Sequence, residues 1–235
     1  METLLLRMRA SFAAFRGFQA GVYRATSPVM PPSTAYGLIL NLAGIEMRGL
    51  MFDWVTDIRE GLPVLGIAVG LVSPPERCSL YQQLHSYPVG ASGKELSSRT
   101  HGAKFWITPV RREVLVGFDG VIGVRSADAD LLMRVKNGLR GELQERRYGL
   151  PFAGDNNFLV DRLDVVNELP PTTRWYTRVQ PGDPPREGSC RLTVGISRTD
   201  NSKTTSFLYA PEADAQTQLP ESAWTWTPAE GASIK

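Results

Sequence analysis

The chain has 235 residues, a formal net charge of +2 at pH 7 and 42% hydrophobic residues. Its length and composition predict one large domain, or one domain with an appendage, that buries a real core. No apolar run reaches the ~18 residues that span a membrane. Cys78 and Cys190 are isolated, which favours reduced thiols in the cytoplasm over a disulfide framework. With only His85 and His101 beside them, we expect no metal site and no cofactor.

The charge is distributed unevenly along the chain. Residues 1–150 hold 18 Lys and Arg against 13 Asp and Glu, whereas residues 151–235 hold 8 against 11. A modestly basic first part and an acidic last part indicate local contact with nucleic acid rather than a general basic coating.

The first predicted element is a strand over Thr3–Ala10. Leu4, Leu6, Met8 and Ala10 share one face, and Arg7 and Arg9 share the other. The two arginines interrupt the apolar start of the chain, so we predict a strand and no signal peptide. They either point into solvent or line a sheet surface that faces nucleic acid.

The stretch over residues 11–44 carries the most information. A loop with Arg16 and Arg24 precedes Pro31-Pro32, which keeps the chain extended before a helix. Ser33 is the predicted N-cap and Gly44 the predicted end of that helix. A helix N-terminus beside two arginines is suited to bind phosphate. The alternative is an ordinary scaffold with solvated arginines.

The order of residues in this stretch resembles the N-terminal signature of the fifth CRISPR-associated (Cas) protein family. The matching runs are Phe12-Ala-Ala-Phe15-Arg16 and Thr26-Ser27-Pro28-Val29-Met30-Pro31-Pro32-Ser33-Thr34-Ala35-Tyr36-Gly37. The signature covers about the first fifth of the chain, and a weaker echo extends to about residue 160. The resemblance implies an RNA-binding subunit of the repeat-associated (RAMP) type.

Beyond the first helix, residues 51–58 predict a short helix or an extension of the first helix, and the apolar run Leu65–Val72 predicts a central strand. Gly66 and Gly70 in that run allow another element to approach closely. Residues 79–87 and 103–116 then predict the two strands of a long hairpin with a glycine-rich tip.

This hairpin is basic and aromatic, a combination that suits RNA because cations bind phosphates and rings stack on bases. Charged hairpin tips and strand aromatics are also common without RNA. The basic residues and the histidine near the tip are Lys94, Arg99, His101, Lys104, Arg111 and Arg112.

A histidine near a lysine and tyrosines could serve a metal-independent ribonuclease. Some members of the resembled family cut CRISPR repeat RNA with a Tyr, Lys and His set in which the Lys and His are adjacent. Here Gly102 and Ala103 separate His101 from Lys104. We therefore predict no catalytic residues, and keep the ribonuclease as the alternative.

The rest of the basic part predicts three elements. Gly117–Val124 reads as a turn and a strand, and Asp128–Arg147 as a helix with apolar residues every four positions. A loop with Gly154, Asn156 and Asn157 and a further strand follow. The resemblance implies a glycine-rich loop at this place that touches RNA through its backbone, which glycine permits.

The element order predicts an α+β fold, a ferredoxin-like or RRM-type βαββαβ domain over residues 1–166. A hairpin thumb over about 79–116 is grafted onto it. Residues 167–235 predict a small β-rich C-terminal part with strands near 174–179, 190–197 and 206–210. Residues 220–235 are expected to form a loose tail, with Trp224 and Trp226 folded back on the domain or bound to another subunit.

The resemblance implies a non-catalytic, cytoplasmic subunit of a type I CRISPR surveillance complex (Cascade) that binds the 5′ handle of the guide RNA (crRNA). Its expected partners are the crRNA, the backbone subunit and the large subunit, with target DNA met only through the guide. A general RNA-binding domain and a protein-interaction subunit remain alternatives. The expected RNA-binding residues are Arg16, Arg24, Ser33, Thr34, Tyr36, Arg99, His101, Lys104, Arg111, Arg112, Gly154, Asn156 and Asn157.

Overall fold

The sequence begins with a strand that lies inside the sheet, between two other strands. The structure, a computed structural model, describes residues 1–17, 23–49, 58–88, 105–145, 147, 149–197 and 201–228. In those ranges the strands are β1 Glu2–Ala13, β2 Tyr23–Arg24, β3 Leu65–Ser73, β4 Glu76–Pro88, β5 Phe105–Ser126, β6 Arg162–Val165, β7 Arg174–Arg178, β8 Cys190–Gly195, β9 Thr205–Pro211 and β10 Thr225–Thr227. The α-helices are α1 Pro32–Leu42 and α2 Ala129–Arg140.

The ten strands form one largely antiparallel sheet, and with the two helices they make an α+β fold. The main path runs β6-β1-β5-β3-β7-β9-β8, while β2 and β4 pair with β5 and β10 pairs with β3. No helix in the described ranges is long and apolar enough to cross a membrane.

β1 confirms the predicted alternation. Leu4, Leu6, Met8 and Ala10 are buried on the face that packs against the helices. Arg7 and Arg9 lie on the opposite face, where Arg7 makes a 2.6 Å ion pair with Asp119. The strand lies between β5 and β6, so its backbone is hydrogen-bonded on both sides.

The start of α1 differs from the prediction. Pro31, not Ser33, is the N-cap residue, with φ −63° and ψ 149° and no side-chain capping bond. Its carbonyl accepts from the amides of Thr34 and Ala35 at 2.9 and 3.0 Å. The proline pair sets the start itself, because Pro32 is preorganised for the first helical position and has no amide to satisfy. Gly44 does end the helix, with φ +71°.

The predicted turn at Gly117 and separate strand at 117–124 were wrong, because β5 runs without a break for 22 residues. Gly117 has a positive φ of +68°, yet the pairing with β1 continues on either side of it, at Phe118 and at Val116. β5 pairs with β4 over its first half and with β3 over its second half. The hairpin is therefore an extension of a central strand of the sheet.

α2 begins as predicted and ends earlier than Arg147. Asp128 Oδ1 accepts from the amides of Asp130 and Leu131 at 2.9 and 3.2 Å, which is an N-cap. Gly141, in the left-handed region at φ +76°, ends the helix. Gly138 lies so close to α1 that a Cβ on it would stand 1.8 Å from the carbonyl oxygen of Leu42. The two helices thus pack backbone to backbone.

The face of the sheet opposite the helices is also covered. Ala68 and Val121 on this face pack with Leu169, Trp175 and Ala223 from the C-terminal part of the chain. Many RRM-type domains present this face to RNA, but here the chain itself occupies much of it. Where these residues cover the sheet, its face is not open to RNA, and the ends of the strands are the remaining candidate surface.

The strands predicted near 174–179, 190–197 and 206–210 are confirmed as β7, β8 and β9. Of the expected tail, residues 221–228 lie against the sheet, and residues 229–235 lie outside the described ranges. Arg125 stacks over the Trp224 ring at 4.1 Å and bonds Glu221 at 2.6 Å. Trp224 is therefore folded back on the domain, which was one of the two predicted alternatives, whereas Trp226 is 43% exposed.

Candidate nucleic-acid interface

Four segments that are distant in sequence meet where β1 ends. Phe15 donates its amide to Thr26 Oγ1 at 2.8 Å, and Ser27 donates its amide to the Phe15 carbonyl at 2.9 Å. Ala14 donates to the Ala153 carbonyl at 3.0 Å. Beside them β2 pairs in parallel with β5. We call the surface formed by residues 14–17, 23–27, 111–113 and 152–159 the strand-end surface.

Arg16 and Arg24 both belong to the strand-end surface. The Arg16 side chain is exposed, and the backbone of Arg16 forms an isolated antiparallel β-bridge with Thr26. Arg24 is half-buried in β2. Over the described ranges neither side chain has a hydrogen-bond or ion-pair acceptor, in contrast to Arg7, Arg112 and other paired arginines of the sheet. Two cations left without anions are available for phosphate.

The glycine loop sits directly on the end of β1. Gly154 has φ +81°, and a Cβ there would stand 2.3 Å from the Ala14 carbonyl oxygen. Both facts require glycine. The next residues form a turn in which Asp155 accepts from the Asn157 amide at 3.0 Å, and Asn156 and Asn157 are exposed. The Asn157 side chain also donates its Nδ2 to Asp155 Oδ1 at 2.8 Å, so of these two side chains only the Asn156 amide has no hydrogen-bond partner within the described ranges.

Arg112 was expected to contact RNA, but its side chain is buried. The residue is 6% exposed, bonds Asp155 of the glycine loop and lies over the Phe158 ring at 5.5 Å. Burial alone would raise the pKa of Asp155, but hydrogen bonds from Arg112 and Asn157 lower it. Arg112 and Asp155 are thus a structural pair that fixes the glycine loop to β5.

Two residues at the start of α1 line a cavity that Arg16 and Arg24 do not line. Ser33 and Thr34 line a cavity of ≈ 460 Å³ with Asn41, Met47 and Phe152, and neither Arg16 nor Arg24 lines it. Tyr36 is buried, and its hydroxyl donates to the Pro63 carbonyl at 3.0 Å. Phe152, which belongs to the strand-end surface, also lines the cavity of Ser33 and Thr34.

The base of the hairpin carries exposed aromatic and basic side chains. Tyr81 is 72% exposed and is paired across strands with Arg111, whose Nε donates to Ser79 Oγ at 3.1 Å. Tyr23, on the other side of Arg111, is 44% exposed. Sequence reasoning missed Tyr23, because nothing in the sequence shows that β2 would pair beside β5. Arg99, His101 and Lys104 lie outside the described residues.

The arginines of β1 do not form an open nucleic-acid surface. Arg7 is paired with Asp119, and Arg9 lies 3.9 Å from Asp164. Neither cation is free to the degree that Arg16 is.

The described part of the chain offers little for metal binding or for catalysis by a cysteine nucleophile. There, no group of three His, Cys, Asp or Glu side chains could hold a metal ion. Burial raises the pKa of the Cys190 thiol to about 12, so this cysteine is not a nucleophile at neutral pH.

Comparison of the sequence with protein-family models and with curated proteins found no match. Solved structures share the fold, among them the following two. One, described as "CRISPR RNA-guided surveillance complex", has a TM-score of 0.58 at 14% identity and matches 94% of this chain and 92% of its own. The other, described as "Crystal structure of Cas protein", has a TM-score of 0.51 at 12% identity, over 92% and 96%. The chain therefore has the fold of these CRISPR-associated proteins over nearly its whole length.

Proposed function

We propose that this protein is a non-catalytic subunit of a type I CRISPR Cascade surveillance complex that binds the 5′ handle of crRNA. The observation that carries the proposal is the fold shared with a chain of an RNA-guided surveillance complex, which covers 94% of this chain and 92% of that one. The N-terminal motif at residues 12–37 supports the same proposal independently of the fold, because its residue order alone resembles the signature of the fifth Cas protein family.

The order of the elements supports a ferredoxin-like core. In chain order, β1, α1, β3, β5, α2 and β6 follow a βαββαβ pattern, and the strands lie in the order β6-β1-β5-β3. β4 and the first half of β5 extend from this core as the hairpin, for which we propose the thumb role. β7, β8 and β9 enlarge the sheet beyond β3.

The strand-end surface is the best candidate for the handle site. Arg16 and Arg24 supply cations that have no ion pair within the described ranges, and Asn156 supplies an exposed amide that can bond a base. Gly154 lets the loop backbone approach a ligand closely. The buried, paired Arg112 and the buried Tyr36 are left out of this site.

The proposed partners follow from this role. The subunit would hold the handle in one conformation and would contact the backbone subunit and the large subunit of the complex. Target DNA would be recognised by base pairing with the guide, so this chain need not read its sequence.

The proposal is tested by isolating the tagged protein from its host at moderate salt and sequencing the RNA that accompanies it. We expect short RNAs that share one repeat-derived 5′ end and differ afterwards. Unrelated RNAs would favour a general RNA-binding domain, and absence of RNA would favour a subunit that binds only protein.

The non-catalytic part of the proposal has its own test. Repeat RNA incubated with the protein in EDTA should stay intact, because the separation of His101 from Lys104 removes the adjacent pair that the cutting members use. Cleavage that is lost in His101→Ala would establish the metal-independent ribonuclease instead.

A further inference from the structure

We propose that Tyr23, Arg111 and Tyr81 form one face at the base of the hairpin that holds unstacked bases of single-stranded RNA. This proposal rests on the function proposed above and specifies the ligand chemistry of one part of the molecule. It places a base-binding contact on the side of the strand-end surface that Tyr23 and Arg111 form and that Tyr81 of β4 extends.

The three side chains share a face because of strand register. Tyr23 of β2 lies opposite Arg111 in parallel pairing, and Tyr81 of β4 lies opposite Arg111 in antiparallel pairing. Residues directly opposite each other in neighbouring strands point to the same side of a sheet. Since neighbouring strands lie ~4.8 Å apart, the two tyrosines flank the arginine at about 10 Å from each other.

Both rings are turned to solvent rather than to the core. Tyr81 is 72% exposed and Tyr23 is 44% exposed, whereas Tyr36, Tyr176 and Tyr209 are at most 5% exposed. Exposed rings beside a cation are the composition of surfaces on which successive bases stack. The ring of Tyr81 is the more accessible of the two and is the main platform.

Arg111 can contribute to a phosphate contact between the rings. Its Nε donates to Ser79 Oγ at 3.1 Å, and over the described ranges no acceptor is bound to its two terminal nitrogens. This bond orients the guanidinium while leaving its outer edge free, and a free edge can bind phosphate oxygens in a bidentate way.

Glu113, a carboxylate beside these side chains, already has hydrogen-bond donors. Glu113 accepts from the Tyr23 hydroxyl at 2.7 Å and from the Thr26 amide at 3.0 Å, and Arg77 lies 4.0 Å away. Burial would raise the pKa of Glu113, but these hydrogen bonds lower it. Glu113 therefore fixes the Tyr23 ring, and its charge is balanced by the groups around it.

Charge complementarity selects RNA as the occupant. Tyrosine and arginine are also common in protein interfaces. Here, however, the adjoining surface adds Arg24 and Arg16 without acceptors, and Arg77 has a side chain that is 51% exposed. A cluster of arginines around exposed rings, in which Arg16 and Arg24 have no acceptor in the described ranges, matches a polyanion that carries bases.

The test compares neighbouring residues on opposite faces of one strand. The probe is the RNA that accompanies the wild-type protein, resynthesised with the fluorescent base 2-aminopurine at successive positions of its shared 5′ segment. Wild-type protein should quench the fluorescence at one or two positions, because stacking quenches this base. Tyr81→Ser should abolish the quenching and weaken binding about 5- to 150-fold, while Tyr81→Phe should preserve both.

Leu80→Ser is the matched control, because Leu80 is 47% exposed and points to the other face of β4. Equal losses in Tyr81→Ser and Leu80→Ser, or unchanged quenching in Tyr81→Ser, would overturn the stacking face while leaving the proposed function intact. Release of another subunit with RNA affinity unchanged would show a protein contact instead. A wild-type protein that carries no RNA would contradict both proposals.

Discussion

At the scale of single residues, adjacent arginines have different roles because of what covers them. Arg111 and Arg112 point to opposite faces of β5, as strand alternation requires. Arg112 is buried beneath the glycine loop and paired with Asp155, whereas Arg111 faces solvent. The alternation follows from the sequence, but which face the loop at 152–159 covers depends on tertiary packing.

The pair between Arg112 and Asp155 predicts a pH dependence of stability. Asp155 has a lowered pKa in the folded protein. Its stabilising effect is therefore complete above the ordinary aspartate pKa of about 3.9 and is lost as the pH falls through the lower, folded-state pKa. Asp155→Asn should reduce the free energy of unfolding by about 1–3 kcal/mol at neutral pH.

Urea unfolding from neutral to acidic pH measures this effect, and the gap between Asp155→Asn and wild type should narrow as the pH falls. Asp214→Asn is the control, since Asp214 is exposed and has no ion pair in the described ranges. A gap that stays constant with pH would show that Asp155 does not stabilise the protein through its charge.

The contact between the two helices gives a second residue-scale prediction. A methyl group at position 138 would overlap the Leu42 carbonyl, so Gly138→Ala must push α2 away from α1. We expect a loss of about 1–3 kcal/mol in the free energy of unfolding. Gly149→Ala is the control, because an added Cβ there meets nothing within 4 Å. Equal unfolding midpoints for the two variants would contradict the close helix contact.

At the scale of elements, the spacing of apolar residues predicted most strands and both helices. Alternating apolar residues indicate a strand with one buried face, and apolar residues every three or four positions indicate a helix with one buried face. Gly117 shows where such reasoning ends. It has the positive φ that glycine permits, yet β1 pairs with β5 on both sides of this position and keeps the strand continuous. Whether such a glycine reverses the chain or only bends it is decided by distant strands.

For the segment at 221–228, the sequence indicated that Trp224 and Trp226 need a docking partner, but it did not indicate where on the domain the segment docks. Its partners are Arg125 and the glycines of β3 and β5: the Trp224 ring lies 3.5 Å from the Cβ position of Gly66 and 3.0 Å from that of Gly123. Small residues in the sheet make room for the ring, and this match cannot be read from either segment alone.

The segment therefore carries an element-scale prediction. Trp224→Ala should destabilise the protein by about 2–4 kcal/mol, because it removes a large ring from the covered face of the sheet. Trp226→Ala, two residues away and 43% exposed, should have a much smaller effect. Thermal unfolding of both variants measures the difference. Similar losses would show that the segment does not depend on the Trp224 site.

At the scale of the whole molecule, cations without acceptors gather where β1, β2, β5 and the glycine loop meet, although the net charge is only +2. The sequence predicted the residues Arg16 and Arg24 and the glycine loop, and the structure brings them together. It did not predict the cavity that Ser33 and Thr34 line together with Asn41 and Phe152, because these residues are distant in the sequence and meet only through tertiary packing.

Salt dependence of RNA binding checks this arrangement. If Arg16 and Arg24 each contact a phosphate, replacing either by alanine should reduce the slope of log affinity against log salt by about 0.7. Arg174→Ala is the control, since Arg174 is exposed on β7, away from the strand-end surface, and has no acceptor in the described ranges. Equal slopes for all three variants would exclude these two arginines from the RNA contact.

The most direct test of the central claim is the affinity of the purified protein for two RNAs that differ only in their 5′ segment. One carries the 5′ segment shared by the RNAs that accompany the protein, and the other carries the same nucleotides in scrambled order. A handle-binding subunit should prefer the first by at least about tenfold, equivalent to about 1.4 kcal/mol. Equal affinities, or no salt-dependent binding to either RNA, would contradict the account.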